Sequence, residues 1–408
     1  MNLARSLRAS LPGVSTREWD QSDHDGLWLG GTPEVLISPV SAQEASQILT
    51  WAGQEGLGVL PLGSGRHLGP VGRGRFVALE TSLLSGVDEY EPADLTITSG
   101  AGTSFSTVDS TLRDNGQWAP FDSPGVTERS IGGFVSEASH SPLWAGYGSL
   151  RNHVLGATLV AGDGRVLRLG GKVVKNVAGY DLLRPVVGGQ GRLGILTSVC
   201  LRAFPLPAHE RVLVLKRARV MDLIEPALLA GTAPVLPVSI VLVGQLAALS
   251  GSSALVLRLH GAESTVDADQ SALEKHLGMS LDPLAADEVD SCLVEVRDRG
   301  GLEPRCVEVS VLPSCLSKVV AAAEEVGAAK AVIDSYAGRL RMGSTDMSVD
   351  AVADLRGAAE NLGGALRVVR WDSASRPQDT LCRNAEVQLA QRLESIFDPG
   401  GVLWPARQ

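Results

Sequence analysis

The sequence contains few cysteines, and they are too far apart for the common metal sites. Five cysteines occur among 408 residues, at positions 200, 292, 306, 315 and 382. None stands in the Cys-x-x-Cys spacing of iron–sulfur clusters and structural zinc sites. An odd number of cysteines also gives no complete disulfide framework. We therefore expect reduced thiols, no metal centre and a cytoplasmic protein.

Long apolar runs and an excess of positive charge are also missing. The longest apolar stretch, from Pro234 to Gly244, is too short to span a bilayer. Arg5 and Arg8 interrupt the apolar residues near the N-terminus, so no secretory signal is expected. The net charge of −10 leaves no broad basic surface for the phosphates of nucleic acids. We expect no direct membrane span and no nucleic-acid role, with peripheral contact at the inner membrane only through partners.

The two standard nucleotide-binding motifs are absent. No G-x-x-x-x-G-K-[ST] sequence occurs anywhere in the chain. The segment at 63–69 departs from G-x-G-x-x-G because Leu68 occupies the third glycine position. The first half also lacks the regular alternation of strands and helices that a parallel dinucleotide-binding sheet requires. These absences exclude a P-loop and a Rossmann domain.

The hydrophobic pattern predicts an α+β chain with two domains. In residues 33–65 an apolar run precedes Ser41 and Glu44, which have capping-box spacing, and a second apolar run follows the helix. Short strands and frequent glycines continue to about residue 207. Beyond PLPAHE at 205–210, alanine- and leucine-rich helical stretches alternate with strand-like runs. This second pattern predicts an antiparallel sheet backed by helices.

Three glycine-rich segments are the strongest candidates for a ligand site. PLGSGRHLG at 61–69 predicts either a tight turn or a backbone cradle for phosphate. Ser130-Ile131-Gly132-Gly133 predicts a helix whose free N–H groups face an anion, or a helix packed closely on a neighbour. The glycines between 188 and 194 predict either a loop or a wall for a flat ligand. Two phosphate-contacting loops in one domain are what a pyrophosphate cofactor needs.

Taken in order, these segments resemble the FAD-binding domains of the p-cresol methylhydroxylase type, also called the vanillyl-alcohol oxidase superfamily. The resemblance rests on P-x-G-x-G at 61–65, S-I-G-G at 130–133 and G-x-L-G-I-L-T at 191–197. It covers residues 33–207 almost continuously. K-N-V-A-G-Y-D-L at 175–182, EPADLTITSGAGTSF at 91–105 and the ending FDPGGVLWPAR are similar to flavin subunits of bacterial glycolate oxidases.

The resemblance implies a fold, a cofactor and a set of binding residues. It implies an FAD-binding domain of two subdomains at 1–207, an α+β cap domain at 208–375, and a C-terminal segment at 376–408 that returns to the FAD domain. The residues that it places at FAD are Leu62, Gly63, Ser64, Gly65, Arg66, His67, Ser130, Ile131, Gly132, Gly133, Ser136, Asn176, Gly191, Leu193, Gly194 and Ile195.

Departures from the family pattern bear on attachment and chemistry. Relatives with covalent FAD carry histidine directly after the last glycine of the first loop, where this chain has Arg66, so we expect non-covalent FAD. The H-x-G-D-G-N motif of the related catalytic subunits is absent, and no catalytic base is identified. His140 and His153 are predicted to be hydrogen-bonded structural residues, and the same interpretation applies to Tyr180 and Lys175.

Three functional hypotheses follow. In the leading one, the chain is the FAD-binding subunit of a glycolate oxidase complex that acts on a small 2-hydroxy acid. Its partners would be a larger catalytic flavin subunit and an iron–sulfur subunit. A self-sufficient FAD-dependent oxidase or dehydrogenase of an unidentified hydroxy acid or alcohol is the second. The third is a scaffold that keeps the fold without FAD, and it is motivated by Ser141 and Trp404, which depart from the family pattern.

Overall fold

The computed structural model describes residues 3–20, 31–65, 74–171, 181–326, 331–372, 375–377, 379 and 384–403. Within these ranges the helices are α1 (Leu3–Ser10), α2 (Ala42–Gln54), α3 (Phe105–Arg113), α4 (Ile131–Glu137), α5 (Trp144–Tyr147), α6 (Ile224–Ala230), α7 (Glu263–Leu277), α8 (Ala286–Asp298), α9 (Leu316–Glu325), α10 (Val349–Asn361) and α11 (Asn384–Phe397). In this part of the chain, no helix combines the length and the apolar character needed to cross a membrane.

The strands confirm the predicted mixture of α and β structure. Those before residue 206 are β1 (Ser15–Arg17), β2 (Leu36–Ser38), β3 (Gly58–Leu62), β4 (Phe76–Glu80), β5 (Val87–Glu91), β6 (Thr96–Gly100), β7 (Gln117–Trp118), β8 (Val154–Val160), β9 (Val166–Gly170), β10 (Ile195–Arg202) and β11 (Phe204–Pro205). Those after it are β12 (His209–Arg217), β13 (Ser239–Leu246), β14 (Ser252–Gly261), β15 (Asp282–Pro283), β16 (Arg305–Ser310), β17 (Val332–Asp334), β18 (Arg339–Ser344) and β19 (Ala365–Arg370).

Two sheets form the first half of the chain. The first has the order β1-β2-β4-β3 and pairs β2, β4 and β3 in parallel, with β1 antiparallel at one edge. The second is antiparallel in the order β5-β6-β10-β8-β9. A short pair, β11-β7, lies beside them. β3 lies at the edge of the first sheet. The loop that follows it therefore has no strand of this sheet on its outer side and can contact another element there.

Helix α2 shows how local sequence positions the first sheet. The Ser41 hydroxyl caps the helix by accepting a hydrogen bond from the Glu44 N–H at 3.1 Å. The Glu44 carboxylate in turn accepts one from the Val40 N–H at 2.6 Å, one residue before the Ser41 N–H that a standard capping box uses. Ile48 and Leu49 are fully buried and pack in one core with Val59 of β3. The helix therefore holds β3 and the glycine loop that follows it.

The second half forms a large antiparallel sheet in the order β15-β12-β14-β13-β17-β18-β16-β19. One face is apolar and packs on α6, α7, α9 and α10. Residues of strands alternate between faces, so the opposite face carries Glu308, Arg341 and Arg367 beside the valines of β12, β13 and β14. This opposite face is named the charged face below. It meets residues 122–147 through the pairs Arg258–Asp122 at 2.9 Å, His140–Asp334 at 2.7 Å and Arg367–Glu137 at 2.7 Å.

The C-terminal part of the chain packs on the first two sheets. Phe397 at the end of α11 is buried in the core of the second sheet. The Asp398 carboxylate accepts hydrogen bonds from the N–H groups of Val402 at 2.9 Å and Leu403 at 2.7 Å. This turn places Leu403 beside Val59 in a parallel bridge. The free edge of β3 is thereby covered by the last described residues.

Candidate cofactor-binding site

A large cavity lies where the three glycine-rich segments meet the charged face. It contains about 1050 Å³ of empty space, including the part that is open to solvent. The lining residues are Pro61, Leu62, Gly63, Ser64, Gly65, Thr81, Arg129, Gly132, Gly133, Ser136, Glu137, Gln190, Gly191, Gly194, Ile195, Leu196, Arg367, Val368, Val369, Arg376 and Asp379.

The first segment turns away from β3 directly into the cavity. Leu62 is fully buried and anchors the end of the strand, where its carbonyl accepts a hydrogen bond from the Thr81 N–H at 2.9 Å. Gly65 has a φ of +71°, which glycine adopts without strain. Among the described residues, no acceptor lies within hydrogen-bonding distance of the N–H groups of Gly63, Ser64 and Gly65. Three consecutive free donors form a backbone nest suited to an anion.

The second segment is helix α4, but its first N–H groups are not free as expected. The Ile131 N–H donates to the Thr103 carbonyl at 2.8 Å, and the Gly132 N–H donates to the Ala101 carbonyl at 2.7 Å. The Gly133 N–H donates to the capping Ser130 hydroxyl at 3.3 Å. The prediction of unpaired donors facing a phosphate was therefore wrong, because the neighbouring backbone and the cap occupy them.

Gly132 and Gly133 are instead required for close packing. A Cβ atom at Gly132 would lie 2.8 Å from the Cβ of Ala101, and one at Gly133 would lie 2.9 Å from Ser130 Oγ. Both distances are shorter than an ordinary contact of about 3.5 Å. The alternative that the sequence left open, a helix packed closely through small residues, accounts for these glycines. Their bare backbone still forms part of the cavity wall.

The third segment is a turn tied to the far end of α4. The Gln190 N–H donates to the Ser136 carbonyl at 2.8 Å, and the Gly188 N–H donates to the Val135 carbonyl at 3.0 Å. Gln190 itself has a positive φ of 54°, a conformation that side chains other than glycine adopt rarely. Gly191 and Gly194 line the cavity in this turn. The turn and α4 therefore form one wall.

Most of the predicted binding residues that the structure describes line this one cavity. Ten do so: Leu62, Gly63, Ser64, Gly65, Gly132, Gly133, Ser136, Gly191, Gly194 and Ile195. Ser130, Ile131 and Leu193 do not line it; Ile131 and Leu193 are core residues and Ser130 caps α4. Arg66, His67 and Asn176 lie outside the described residues, as do Lys175 and Tyr180.

Sequence reasoning missed a chain of charges, three members of which, Arg129, Glu137 and Arg367, line the cavity. Arg129 donates to the Glu137 carboxylate at 3.2 Å and to the Ser139 hydroxyl at 2.7 Å. Arg367 donates to Glu137 at 2.7 Å and to Glu308 at 3.0 Å. The cluster, named the four-charge chain, consists of Arg129, Glu137, Arg367 and Glu308. It connects α4 with the charged face, and its two positive and two negative charges balance.

The environment of the four-charge chain shifts the pKa values of its members. Burial lowers the pKa of Arg129, and the nearby Glu137 offsets part of that effect. Burial opposes the charge of Arg367, but Glu137 and Glu308 outweigh it and raise the pKa of Arg367 above its usual value. Burial likewise opposes ionisation of Glu308, yet Arg367 keeps its pKa below the usual value. The directions for Arg367 and Glu308 favour their charged forms, in keeping with the ion pair that joins them.

A second group of missed residues comes from the segment after β19. The Arg376 guanidinium donates to the Val368 carbonyl at 2.6 Å. The Val368 N–H donates to the Asp379 carboxylate at 2.6 Å. No motif marks this segment. A usable signal was available only for Arg129 and Glu137, which are the first charged residues before and after the S-I-G-G turn.

Two histidines proposed as structural have hydrogen-bond partners. His153 Nε2 lies 2.7 Å from the Tyr147 carbonyl, and burial lowers the pKa of His153. His140 Nε2 lies 2.7 Å from the Asp334 carboxylate. In the described ranges, no group of three or more His, Cys, Asp or Glu side chains is placed to hold a metal ion.

Comparisons with known proteins agree with this geometry. Residues 33–170 match the family model described as "FAD binding domain". Glycolate oxidase subunit GlcE of Escherichia coli (strain K12) is 39% identical over 130 residues, which is 32% of this chain and 37% of the relative. Glycolate oxidase subunit GlcD of Bacillus subtilis (strain 168) is 31% identical over 184 residues, 45% of this chain and 39% of the relative. The match thus spans less than two fifths of the length of each relative.

A likeness to a solved structure extends over nearly the whole chain. A structure of alkyldihydroxyacetonephosphate synthase superposes with a TM-score of 0.75 at 14% identity, covering 99% of this chain and 84% of that chain. At this identity the likeness concerns the fold alone. The α+β architecture expected from the sequence is confirmed, and the glycine segments at 61–65 and 130–133 fall within the matched family region. The chain therefore contains an FAD-binding domain of the p-cresol methylhydroxylase type, and its cofactor is FAD.

Proposed function

We propose that this chain is the FAD-binding subunit of an oxidoreductase complex of the glycolate oxidase type. The observation that carries the proposal is the single cavity that all three glycine-rich segments line. The similarity to two differently named subunits of glycolate oxidase supports a role within such a complex. Bound FAD supplies two-electron chemistry. The complex would act on a small 2-hydroxy acid, together with a larger catalytic flavin subunit and an iron–sulfur subunit.

The residues of the cavity fit this cofactor. The free N–H groups of Gly63, Ser64 and Gly65 would hold the pyrophosphate. The bare backbone at Gly132, Gly133, Gly191 and Gly194 would lie against the flat parts of FAD, because no side chain intervenes. Ten of the residues predicted to contact FAD already share this wall. We also propose 1–207 and 376–408 as the FAD side of the molecule and 208–375 as the cap.

The four-charge chain supports a subunit that positions FAD without supplying a free base. Arg129, Glu137, Arg367 and Glu308 are engaged with one another. A general base must reach its proton with a free lone pair and a suitable pKa. Glu308 has its pKa held low by Arg367, so it is a poor base. The cavity therefore binds and orients FAD, and substrate oxidation is assigned to the partner flavin subunit.

The first test is an absorbance spectrum of the purified chain before and after acid precipitation. Flavin bands that move entirely to the supernatant are expected, since Arg66 replaces the histidine of covalent relatives. The chain is then mixed anaerobically with glycolate or D-lactate, with and without subunits of the GlcD and iron–sulfur types. Bleaching only in the reconstituted complex supports the proposal. Rapid bleaching of the chain alone contradicts the accessory role, and a chain that takes up no FAD contradicts flavin binding.

A further inference from the structure

Helix α11 presents an apolar face to solvent. Leu393 and Phe397 pack the helix against the core of the second sheet. Leu389 and Ile396 are instead each 60% exposed, and Arg392 between them is exposed as well. Three positions separate Leu389 from Arg392, and four separate Arg392 from Ile396, so the three side chains share one side of the helix. This set of three residues is named the α11 stripe below.

The cation of the α11 stripe has no counter-ion in the described part of the chain. No carboxylate there lies within 4.0 Å of the Arg392 guanidinium. The nearby Glu394 is engaged elsewhere, since its carboxylate lies 3.2 Å from the Arg192 guanidinium. Two exposed aliphatic side chains beside an unpaired cation favour contact with an apolar surface that carries an acidic group.

A surface of this kind lies beside helix α6. An open groove there is lined by Met221, Ile224, Glu225, Leu228, Leu229, Thr232 and Ser317. Of these seven residues, only Glu225 is charged, and its side chain is exposed. Among the residues that the structure describes, no cation lies within 4.0 Å of the Glu225 carboxylate. This surface, named the α6 groove, is therefore largely apolar and carries one unpaired negative charge.

The α6 groove repeats the spacing of the α11 stripe in the opposite chain direction. Read towards the N-terminus, three positions separate Leu228 from Glu225, and four separate Glu225 from Met221. Met221 belongs to the 3-10 turn (Val220–Leu223) that leads directly into α6. The two surfaces therefore match when their helices run antiparallel. Apolar side chains then face each other on both sides of one arginine–glutamate pair.

The α11 stripe must find its groove on another molecule. In its own chain α11 is held on the second sheet, because Phe397 is buried in that core. Every copy of the chain carries both surfaces, so a second copy supplies the match. We propose that α11 of one chain docks in the α6 groove of a second copy, with Arg392 paired to Glu225 of the partner subunit. Such a contact joins unlike surfaces and occurs twice in a closed dimer.

The apolar and charged parts of this contact have different roles. The aliphatic side chains supply affinity, because their exposed area leaves water on docking. The charge pair selects the partner surface and the direction of the helix, because like charges brought together oppose association. This mode is the docking of an amphipathic helix in a groove, with anchors three and four positions apart.

The test starts with the mass of the FAD-loaded chain, measured by light scattering after size exclusion. Concentrations up to about 100 μM are used, because interfaces of small area bind weakly. We expect the mass to approach twice the 42.7 kDa of one chain. Arg392→Glu and Glu225→Arg each place like charges in both contacts of a dimer. Each variant alone should therefore dimerise at least about tenfold more weakly.

An equimolar mixture of Arg392→Glu and Glu225→Arg should dimerise like the wild type. Both contacts of the mixed dimer join opposite charges, although neither variant can form such a contact with itself. Leu389→Ser should weaken dimerisation by removing an apolar anchor. Leu83→Ser is the matched control, because Leu83 is 46% exposed and belongs to neither surface, and its variant should dimerise like the wild type.

Three results would overturn the proposal: a wild type that stays monomeric, a charge variant that dimerises alone like the wild type, or an equimolar mixture that stays monomeric. A monomeric wild type whose α11 stripe binds a GlcD-type subunit would also overturn it and would assign the stripe to that subunit. Flavin absorbance and circular dichroism check that each variant retains FAD and its fold.

Discussion

Replacing Gly63 with alanine measures how closely the first glycine loop must approach α4. A Cβ atom at this position would lie 2.4 Å from Ser130 Oγ and 3.4 Å from Gly133 Cα. An ordinary contact needs about 3.5 Å, so the loop or the serine must move by about 1 Å. The φ of Gly63 is outside the left-handed region. The substitution therefore adds volume without adding backbone strain.

The expected cost follows from this overlap. Overpacking of a close contact costs about 1–3 kcal/mol, and each 1.4 kcal/mol corresponds to a tenfold change in an equilibrium constant. The displaced loop carries the N–H groups of residues 63–65, so we expect the Kd for FAD to rise about tenfold. Fluorescence titration of the FAD-free chain with FAD measures this Kd, and thermal unfolding followed by circular dichroism measures the stability.

Two further variants make the test specific. Gly357→Ala is the control, because a Cβ there meets nothing within 4 Å and alanine is a better helix former than glycine; FAD affinity should be unchanged. Adding Ser130→Ala to Gly63→Ala removes the clashing oxygen at the expense of a helix cap. The double variant should bind FAD more tightly than Gly63→Ala alone. Wild-type affinity in Gly63→Ala, or a double variant that binds more weakly than both single variants, would refute the reasoning.

Three other predictions concern charge and burial. Arg367→Met removes the arginine that is hydrogen-bonded to Glu308 and should lower the free energy of unfolding by about 3 kcal/mol. Adding Glu308→Gln should restore part of this loss. Urea denaturation measures the free energy of unfolding of the single and the double variant. Although burial opposes ionisation, His260 and Arg258 lower the pKa of Glu210 to about 2. Its ionised form therefore contributes stability, of the order of 2 kcal/mol, that is complete above the ordinary pKa of 4.5 and lost as the pH falls towards 2. Glu210→Gln should be less stable than the wild type at pH 6 and equally stable near pH 2, and an unchanged difference would contradict this assignment. Burial raises the pKa of Cys306 to about 12. In a Cys382→Ser background, a disulfide reagent at pH 8 should therefore label Cys315 long before Cys306. Equal labelling rates would mean that Cys306 is not buried in solution.

Much of the first half could be predicted because its elements follow from local sequence. Ser41 and Glu44 fix the start of α2 through bonds within four residues. Glycines mark the ends of strands and the tight turns that line the cavity, so their positions pointed to the site. The paired N–H groups of α4 could not be foreseen, because their acceptors at Ala101 and Thr103 come from a distant loop.

The charged face could not be predicted for a similar reason. Glu308 and Arg367 become partners only because β16 and β19 pair in one particular register. Arg339 and Asp334 stand opposite each other in the register of β17 and β18, and His140 is hydrogen-bonded to Asp334 from 194 positions away along the chain. Hydrophobic periodicity can place such residues in a strand, but it does not identify the residues that lie beside them on the neighbouring strands. The parts of the candidate site that are formed by the glycine-rich backbone could thus be predicted from the sequence. The parts that are formed by ion pairs between distant residues could not.

The bridge between Leu403 and Val59 has a consequence for synthesis on the ribosome. Domains of a growing chain generally fold in order from the N-terminus. Here the strand that leads into the Gly63–Gly65 loop stays uncovered until residues 397–403 emerge. An exposed strand edge invites pairing with other chains. The first sheet is therefore incomplete when β3 leaves the ribosome, and its edge is covered only after residues 397–403 have been synthesised.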